Sequence, residues 1–268
     1  MKYFAGIDIG STMTKVVIIN DFPVSSFVSV SGPEHRRLAE QVTNEALAGA
    51  GITFKDIGFV VATGYGRVNV PFADKQITEI TCHARAAATL FPSARTVIDI
   101  GGQDCKAIKL RDGKIIDFVM NDKCAAGTGR FLEVMAESLN LKIEELGEVS
   151  LQSKNEVNIA DTCTVFAERE VVSRLSEGVA VPDLVAGIHR AMANRIYGLA
   201  SKIQIEKDVV ITGGCAKNRG LIKALKDRIG FPVIIPQEPL LMGAMGAALL
   251  GKEIVQKNPS LGRTAKGK

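Results

Sequence analysis

Strand-like and helix-like patterns alternate along this chain. Apolar-rich residues 3–10 and 14–20 read as two strands joined by a tight turn. Within 34–50, Leu38, Val42, Ala46 and Leu47 recur at helical spacing and predict one buried helix face. Residues 57–63 form an unbroken apolar run, a buried strand that ends in the loop Gly64-Tyr65-Gly66-Arg67. A helix is predicted over 77–91, then a meander of three strands at 96–101, 105–110 and 114–120. Helices follow at 131–140, 166–177 and 183–204, a strand at 208–212, a helix at 219–229, a strand at 233–236 and a last helix at 243–250. Hairpins mixed with crossover helices point to α/β architecture.

The pattern also repeats. IDIGSTMTKVVIIND from Ile7 and IDIGGQDCKAIKLRD from Ile98 align without gaps, with Ile7/Ile98, Asp8/Asp99, Ile9/Ile100, Gly10/Gly101, Lys15/Lys106 and Asp21/Asp112 identical. A duplicated strand–turn–strand unit predicts two related lobes, each presenting one Gly-rich turn. The expected division is an N-terminal lobe over 1–92, a C-terminal lobe over 93–251 whose last helix packs back on the first lobe, and a basic tail over 252–268.

Composition narrows the class. The 268 residues are 46% hydrophobic, enough to bury a sizeable core. The absence of Trp and the 5% aromatic content argue against a stacking-based nucleic-acid or carbohydrate binder. The net charge of +4 is carried by residues 252–268, which hold five basic residues and one acidic one, so the body is formally neutral and no nucleic-acid partner is expected. No apolar run is long enough to span a membrane, and the amino terminus lacks a leader-like pattern, so a cytoplasmic location with no membrane partner is expected. Five cysteines, none spaced as CxxC, exclude a zinc ribbon and a thioredoxin motif.

The two Asp-Ile-Gly turns suit phosphate. Gly10 and Gly101 let the backbone approach an oxyanion, and the turn amides supply donors. Ser11 and Thr12 add hydroxyls in the first turn; Gly102, Gln103 and Asp104 complete the second. Asp8 and Asp99, at strand ends, can hold Mg²⁺ directly or through its waters. No GxxxxGK[ST] occurs, so this is not a P-loop. A third turn, Thr212-Gly213-Gly214-Cys215-Ala216-Lys217-Asn218, breaks a strand and opens a helix, which suits packing an adenosine against bare backbone.

IDIGST, IDIGGQD and ITGGCAKN, in this order and at this separation, resemble the first phosphate, second phosphate and adenosine motifs of the actin/Hsp70/sugar-kinase ATPase superfamily. The resemblance covers about 3–251 and implies an actin-like ATPase (ribonuclease H-like) fold that binds ATP and ADP with Mg²⁺. Asp8 and Asp99 match the carboxylates that act there on Mg²⁺ and the attacking water. Lys15, Gln103 and Asp104 are candidate helpers, with Gln103 a candidate in catalysis, and the match leaves their individual roles open. Gly127 and Gly129, and Gly243 and Gly246, match the two connecting, hinge-like segments.

Two cysteines stand apart from apolar periodicity. Cys124 lies in NDKCAAGTGRF, before a Gly-rich turn and a helix expected near Thr128; Cys163 lies in ADTCTVFAERE before another helix. A helix N-terminus favours a thiolate. Two thiolates do not make a four-cysteine site, whereas a symmetric homodimer supplies four. Cys82, Cys105 and Cys215 read as packing residues, and His35, His83 and His189 show no spacing that marks metal ligation or catalysis.

NDKCAAGTGRFLEVMA, with DTCTVFAE downstream and ATGYGR and ADKQITEITCHA upstream, resembles the activator component of 2-hydroxyacyl-CoA dehydratases, relatives of the benzoyl-CoA reductase ATPase subunits. The resemblance implies a homodimer bridged by one [4Fe-4S] cluster, with Cys124 and Cys163 of each chain as ligands. It implies ATP-driven electron transfer to a dehydratase-type iron–sulfur enzyme, with a ferredoxin or flavodoxin as donor. The alternatives are a small-molecule kinase of the same fold, such as an N-acetylhexosamine kinase, and a non-enzymatic ATP-binding scaffold; the paired Asp8 and Asp99 weigh against the scaffold.

Overall fold

The computed structural model describes residues 2–263, and the chain divides into two units. The first opens with β1 (Tyr3–Ile9), β2 (Met13–Ile19) and β3 (Pro23–Val30), then α1 (His35–Ala50), β4 (Ile57–Thr63), β5 (Lys75–Gln76) and α2 (Glu79–Leu90). The second begins at Ala94 with β6 (Thr96–Ile100), β7 (Cys105–Arg111) and β8 (Lys114–Asn121). It continues with α3 (Gly129–Ser138), α4 (Leu146–Ser150), α5 (Thr164–Ser176), α6 (Val181–Ala200), β9 (Val209–Thr212), α7 (Arg219–Ile229) and β10 (Val233–Ile234). From Leu240 the chain belongs to the first unit again and forms α8 (Met242–Lys257).

The first sheet runs β3-β2-β1-β4-β5 and the second β10-β9-β6-β7-β8, each with an antiparallel meander and a parallel neighbour. The sequence repeat is a structural one. Asp8 pairs with Lys15 across β1/β2 and with Thr63 across β1/β4; Asp99 pairs with Lys106 across β6/β7 and with Thr212 across β6/β9.

β1, β2 and β4 are buried along almost their whole length because helices cover both faces of their sheet. Ala5, Ile7, Val16 and Ile18 pack with Val42, Ala46 and Leu47 of α1 on one face. Phe4, Val17, Ile19 and Val61 pack with Ala244, Ala247 and Ala248 of α8 on the other. In the second unit one core joins Ile98, Ile100 and Ala107 to Phe131, Val185, Ile188, Met192 and Leu225.

Two expectations need correcting. β3 was not predicted: Pro23 opens it, Ser25, Ser26 and Ser29 interrupt its apolar pattern, and its edge position leaves it part-exposed. Residues 252–257 of the expected tail continue α8, and Arg263 donates from its backbone to Gly58 and from its guanidinium to Asp74 at 3.0 Å; 264–268 lie outside the described residues. Gly243 and Gly246 lie in α8, as the helix expected over 243–250 implies, and a side chain at 246 would strike the Cys82 carbonyl.

Candidate nucleotide and cysteine sites

Each acidic turn pairs its aspartate with a buried lysine on the neighbouring antiparallel strand. In the first unit, Lys15 Nζ lies 2.9 Å from Asp8 Oδ2, both side chains largely buried. In the second, Lys106 Nζ lies 3.4 Å from Asp99 Oδ2 and 2.8 Å from Asp104 Oδ2, while Thr212 Oγ1 donates to Asp99 Oδ1 at 3.0 Å. The antiparallel registers put each lysine opposite its aspartate, which is why the spacing of seven residues recurs. The strand on the other side ends in a glycine with positive φ, Gly64 at 83° and Gly213 at 87°. A side chain there would collide with the Ile9 or Ile100 carbonyl and with the neighbouring Asp8 or Asp99 carboxylate. Val60-Val61-Ala62-Thr63-Gly64 and Val209-Val210-Ile211-Thr212-Gly213 thus form a second internal repeat, visible in the sequence and overlooked because the loops that follow diverge.

Around the first turn, Gly10 N donates to Met13 O, and Ser31, which the sequence did not mark, braces it: Ser31 Oγ donates to Gly10 O at 2.7 Å and Ser31 N to Thr12 O at 2.8 Å. Ser11 is exposed and Thr12 half-buried. Around the second turn, Gly101 N donates to Asp104 O, Gln103 is exposed, and Gly102 and Asp104 are half-buried. In the expected adenosine turn, Gly214 is exposed and Asn218 half-buried, whereas Gly213 and Ala216 are buried and pack. Asn218 caps α7, its Oδ1 accepting from Leu221 N at 2.9 Å, and its Nδ2 donates to His189 Nε2 at 3.1 Å. Burial lowers the His189 pKa to about 4, which keeps that imidazole neutral and able to accept. Gly243 and Gly127 are also buried; Gly243 faces Asp8, and Gly127 packs against Arg195.

The cysteines fall into two groups. Cys82 and Cys105 are buried, and burial pushes the Cys82 thiol up to about 12 and raises Cys105 as well. Desolvation, with Asp99 and Glu133 nearby, pushes Cys215 up to about 12. Cys124 and Cys163 are half-buried, as is the residue surface of Cys215, whose thiol nevertheless lies in the desolvated surroundings of Asp99 and Glu133. Cys163 is the N-cap residue of α5. Cys124 does not sit at the helix start: α3 begins at Gly129 with Thr128 as its cap. Instead Asn121, at the end of β8, clamps the Cys124 loop, accepting from Cys124 N at 3.2 Å and donating to Cys124 O at 2.8 Å and Ala126 O at 3.2 Å. Thr128 Oγ1 donates to Ala125 O at 2.7 Å. Among the described residues, no group of three or more His, Cys, Asp or Glu side chains converges to hold a metal. Cys124 and Cys163 are partly open to solvent, and small residues, Ala125, Ala126 and Gly127, follow Cys124.

Comparison with known proteins agrees with this geometry. Among the described residues no helix is long and apolar enough to cross a membrane. The chain is 47% identical over 255 residues to the 2-hydroxyisocaproyl-CoA dehydratase activator of Clostridioides difficile, covering 92% of this chain and 94% of that protein. It is 48% identical over 263 residues to the activator of lactoyl-CoA dehydratase of Anaerotignum propionicum, covering 95% and 99%. A solved structure of the activator of the 2-hydroxyisocaproyl-CoA dehydratase from Clostridium difficile with bound ADPNP superposes with a TM-score of 0.90 at 44% identity, covering 99% of this chain and 100% of that one. The two mixed sheets with their duplicated turns are the actin-like ATPase fold. The model of the BadF/BadG/BcrA/BcrD ATPase family matches residues 5–251, and this chain belongs to that family.

Proposed function

We propose that this chain is an ATP-dependent reductive activator, coupling ATP hydrolysis to one-electron transfer toward a 2-hydroxyacyl-CoA dehydratase-type iron–sulfur enzyme. The relatives named above are activators of such dehydratases, which favours this reading over a kinase. The observation that carries the coupling is a hydrogen-bonded path inside the second unit. Gly129 N and Arg130 N, the first amides of α3, donate to Gly101 O at 2.8 Å and Gly102 O at 2.7 Å. The second phosphate turn is therefore tied to the start of the helix that follows Cys124, and Thr128, Ala125 and Asn121 extend the tie to the cysteine itself.

In this reading Asp8 and Asp99 hold Mg²⁺ and orient the attacking water, with Lys15, Gln103 and Asp104 beside them. The turns at Gly10–Thr12 and 101–104 receive phosphate oxygens, and Gly214 and Asn218 border the adenosine. Cys124 and Cys163 of two copies in a homodimer would hold one [4Fe-4S] cluster, which supplies a low-potential electron when bound. A ferredoxin or flavodoxin serves as donor, in an anaerobic cytoplasm. The carbonyls of Gly101 and Gly102 move with the γ-phosphate and shift the start of α3, and with it the Cys124 loop. The shift is bounded by the difference in ATP and ADP affinity between the two states.

The test is iron content after anaerobic purification. Cys124→Ser and Cys163→Ser should each lose the cluster, whereas Cys82→Ser, Cys105→Ser and Cys215→Ser should retain it. Iron content that follows Cys105 instead would remove the ligand assignment.

A further inference from the structure

We infer that His83 is a positioning residue for the Asp8 carboxylate. The inference rests on the reading of Asp8 as part of the nucleotide site and adds to it a residue that no sequence motif marked.

His83 projects from the first turns of α2 and is 5% exposed. A methyl group at position 243, where α8 carries glycine, would stand 2.8 Å from Asp8 Oδ2 and 3.0 Å from His83 Nε2. Carboxylate and imidazole thus face one common point, no farther apart than a single bridging water spans. A buried imidazole nitrogen requires a polar partner, and the Asp8 oxygen borders the same small space. Lys15 Nζ reaches the same oxygen at 2.9 Å.

The duplication supplies an internal control. In the second unit Asp99 is oriented by the hydroxyl of Thr212, its partner across the parallel strands. The register-equivalent residue beside Asp8 is Thr63. The Thr63 hydroxyl is buried without a hydrogen bond to Asp8, and its neighbour is the Cys82 thiol. The device that aims Asp99 is therefore absent beside Asp8, and an imidazole borders that carboxylate instead. Gly243 fits the same account: it is the residue that leaves the space between imidazole and carboxylate open. The two acidic turns share an ancestor but are held differently, so the orientation of Asp8 depends on α2 and α8.

The experiment compares His83→Ala, His83→Gln and Gly243→Ala in the anaerobically purified full-length protein, with Asp99→Asn as control. The readouts are ATP hydrolysis as a function of ATP and of Mg²⁺, and binding of a fluorescent ADP analogue. His83→Ala should lower kcat about tenfold with KM changed less than about threefold, and raise the Mg²⁺ concentration needed for half-maximal rate. His83→Gln, which keeps a donor near the Nε2 position, should recover most of the rate. Gly243→Ala should reproduce the His83→Ala pattern. Wild-type kcat and Mg²⁺ dependence in His83→Ala, with Asp99→Asn inactive, would overturn the inference while leaving the nucleotide site intact. A parallel loss of ADP binding and turnover in His83→Ala and His83→Gln alike would also overturn it, because it marks a packing role. Wild-type turnover in Asp99→Asn would remove the nucleotide-site reading itself, and the inference with it.

Discussion

The two acidic turns are duplicated, yet neutralising their aspartates should have unequal structural cost. Asp8→Asn removes the charge partner of Lys15, whose side chain is 11% exposed and whose ion pair is with Asp8. Breaking a buried pair from one side costs about 3–5 kcal/mol, and an amide that still accepts from Lys15 reduces this to about 2–3 kcal/mol. Asp99→Asn strips one of two carboxylates from Lys106. Asp104 remains 2.8 Å from Lys106 Nζ, closer than Asp99 at 3.4 Å, and the Thr212 hydroxyl can still donate to the amide oxygen. The remaining cost is about 1 kcal/mol. Turnover should behave differently: on the proposed roles of these carboxylates, each substitution should lower ATP hydrolysis about a hundredfold or more. Urea titrations at constant temperature, with and without saturating ADP, measure the first quantity, and steady-state hydrolysis measures the second. Equal stability losses, or a larger loss for Asp99→Asn, would refute the account of Lys106 as a shared cation.

Two further outcomes follow from the buried titratable groups. In iron-free protein at pH 8, iodoacetamide should modify Cys124 and Cys163 well before Cys82 and Cys215, whose thiols are pushed up to about 12; peptide mapping that finds Cys215 among the fast sites would contradict this. The His189 imidazole, lowered from 6.5 to about 4, refuses a proton that the unfolded chain accepts. Stability should therefore fall as pH drops from about 6.5 to about 4, by up to about 3 kcal/mol, and His189→Gln should flatten that acid limb in pH-dependent denaturation.

Much of this molecule is written in local pattern. The strands β1, β2, β4, β6, β7 and β9 announce themselves because they are buried almost throughout and rich in β-branched and other apolar residues. The repeat at Asp8 and Asp99 is legible because Asp, Gly and Lys are all needed at fixed places in a strand–turn–strand unit. β3 is not legible, since an edge strand needs no continuous apolar face and its serines read as loop. α4 escapes for a different reason: five residues are too few to display helical periodicity. The helical continuation at 252–257 is masked by its charges, although Lys252 and Glu253 are both used in ion pairs, to Asp21 and Arg85. The approach of His83 to Asp8 joins residues on a helix and a strand far apart in sequence, and only the packing of α2 and α8 onto the sheet creates it. The Gly-rich turn after Cys124 and the helix start near Thr128 are legible, whereas the anchor of the loop, the Asn121 side chain, is a local cap that periodicity does not encode.

The central claim is that occupancy of the phosphate turns is transmitted through Gly101 and Gly102 to α3 and the Cys124 loop. It is tested most directly by the rate at which a strong ferrous chelator removes iron from anaerobic protein saturated with ADPNP or with ADP, each with Mg²⁺. The account predicts rates that differ by about threefold or more between the two nucleotides, a difference that shrinks toward the nucleotide-free rate in Asp99→Asn. Identical rates with both nucleotides, each shown to be bound, would leave the nucleotide site and the cysteine loop uncoupled and would contradict the account.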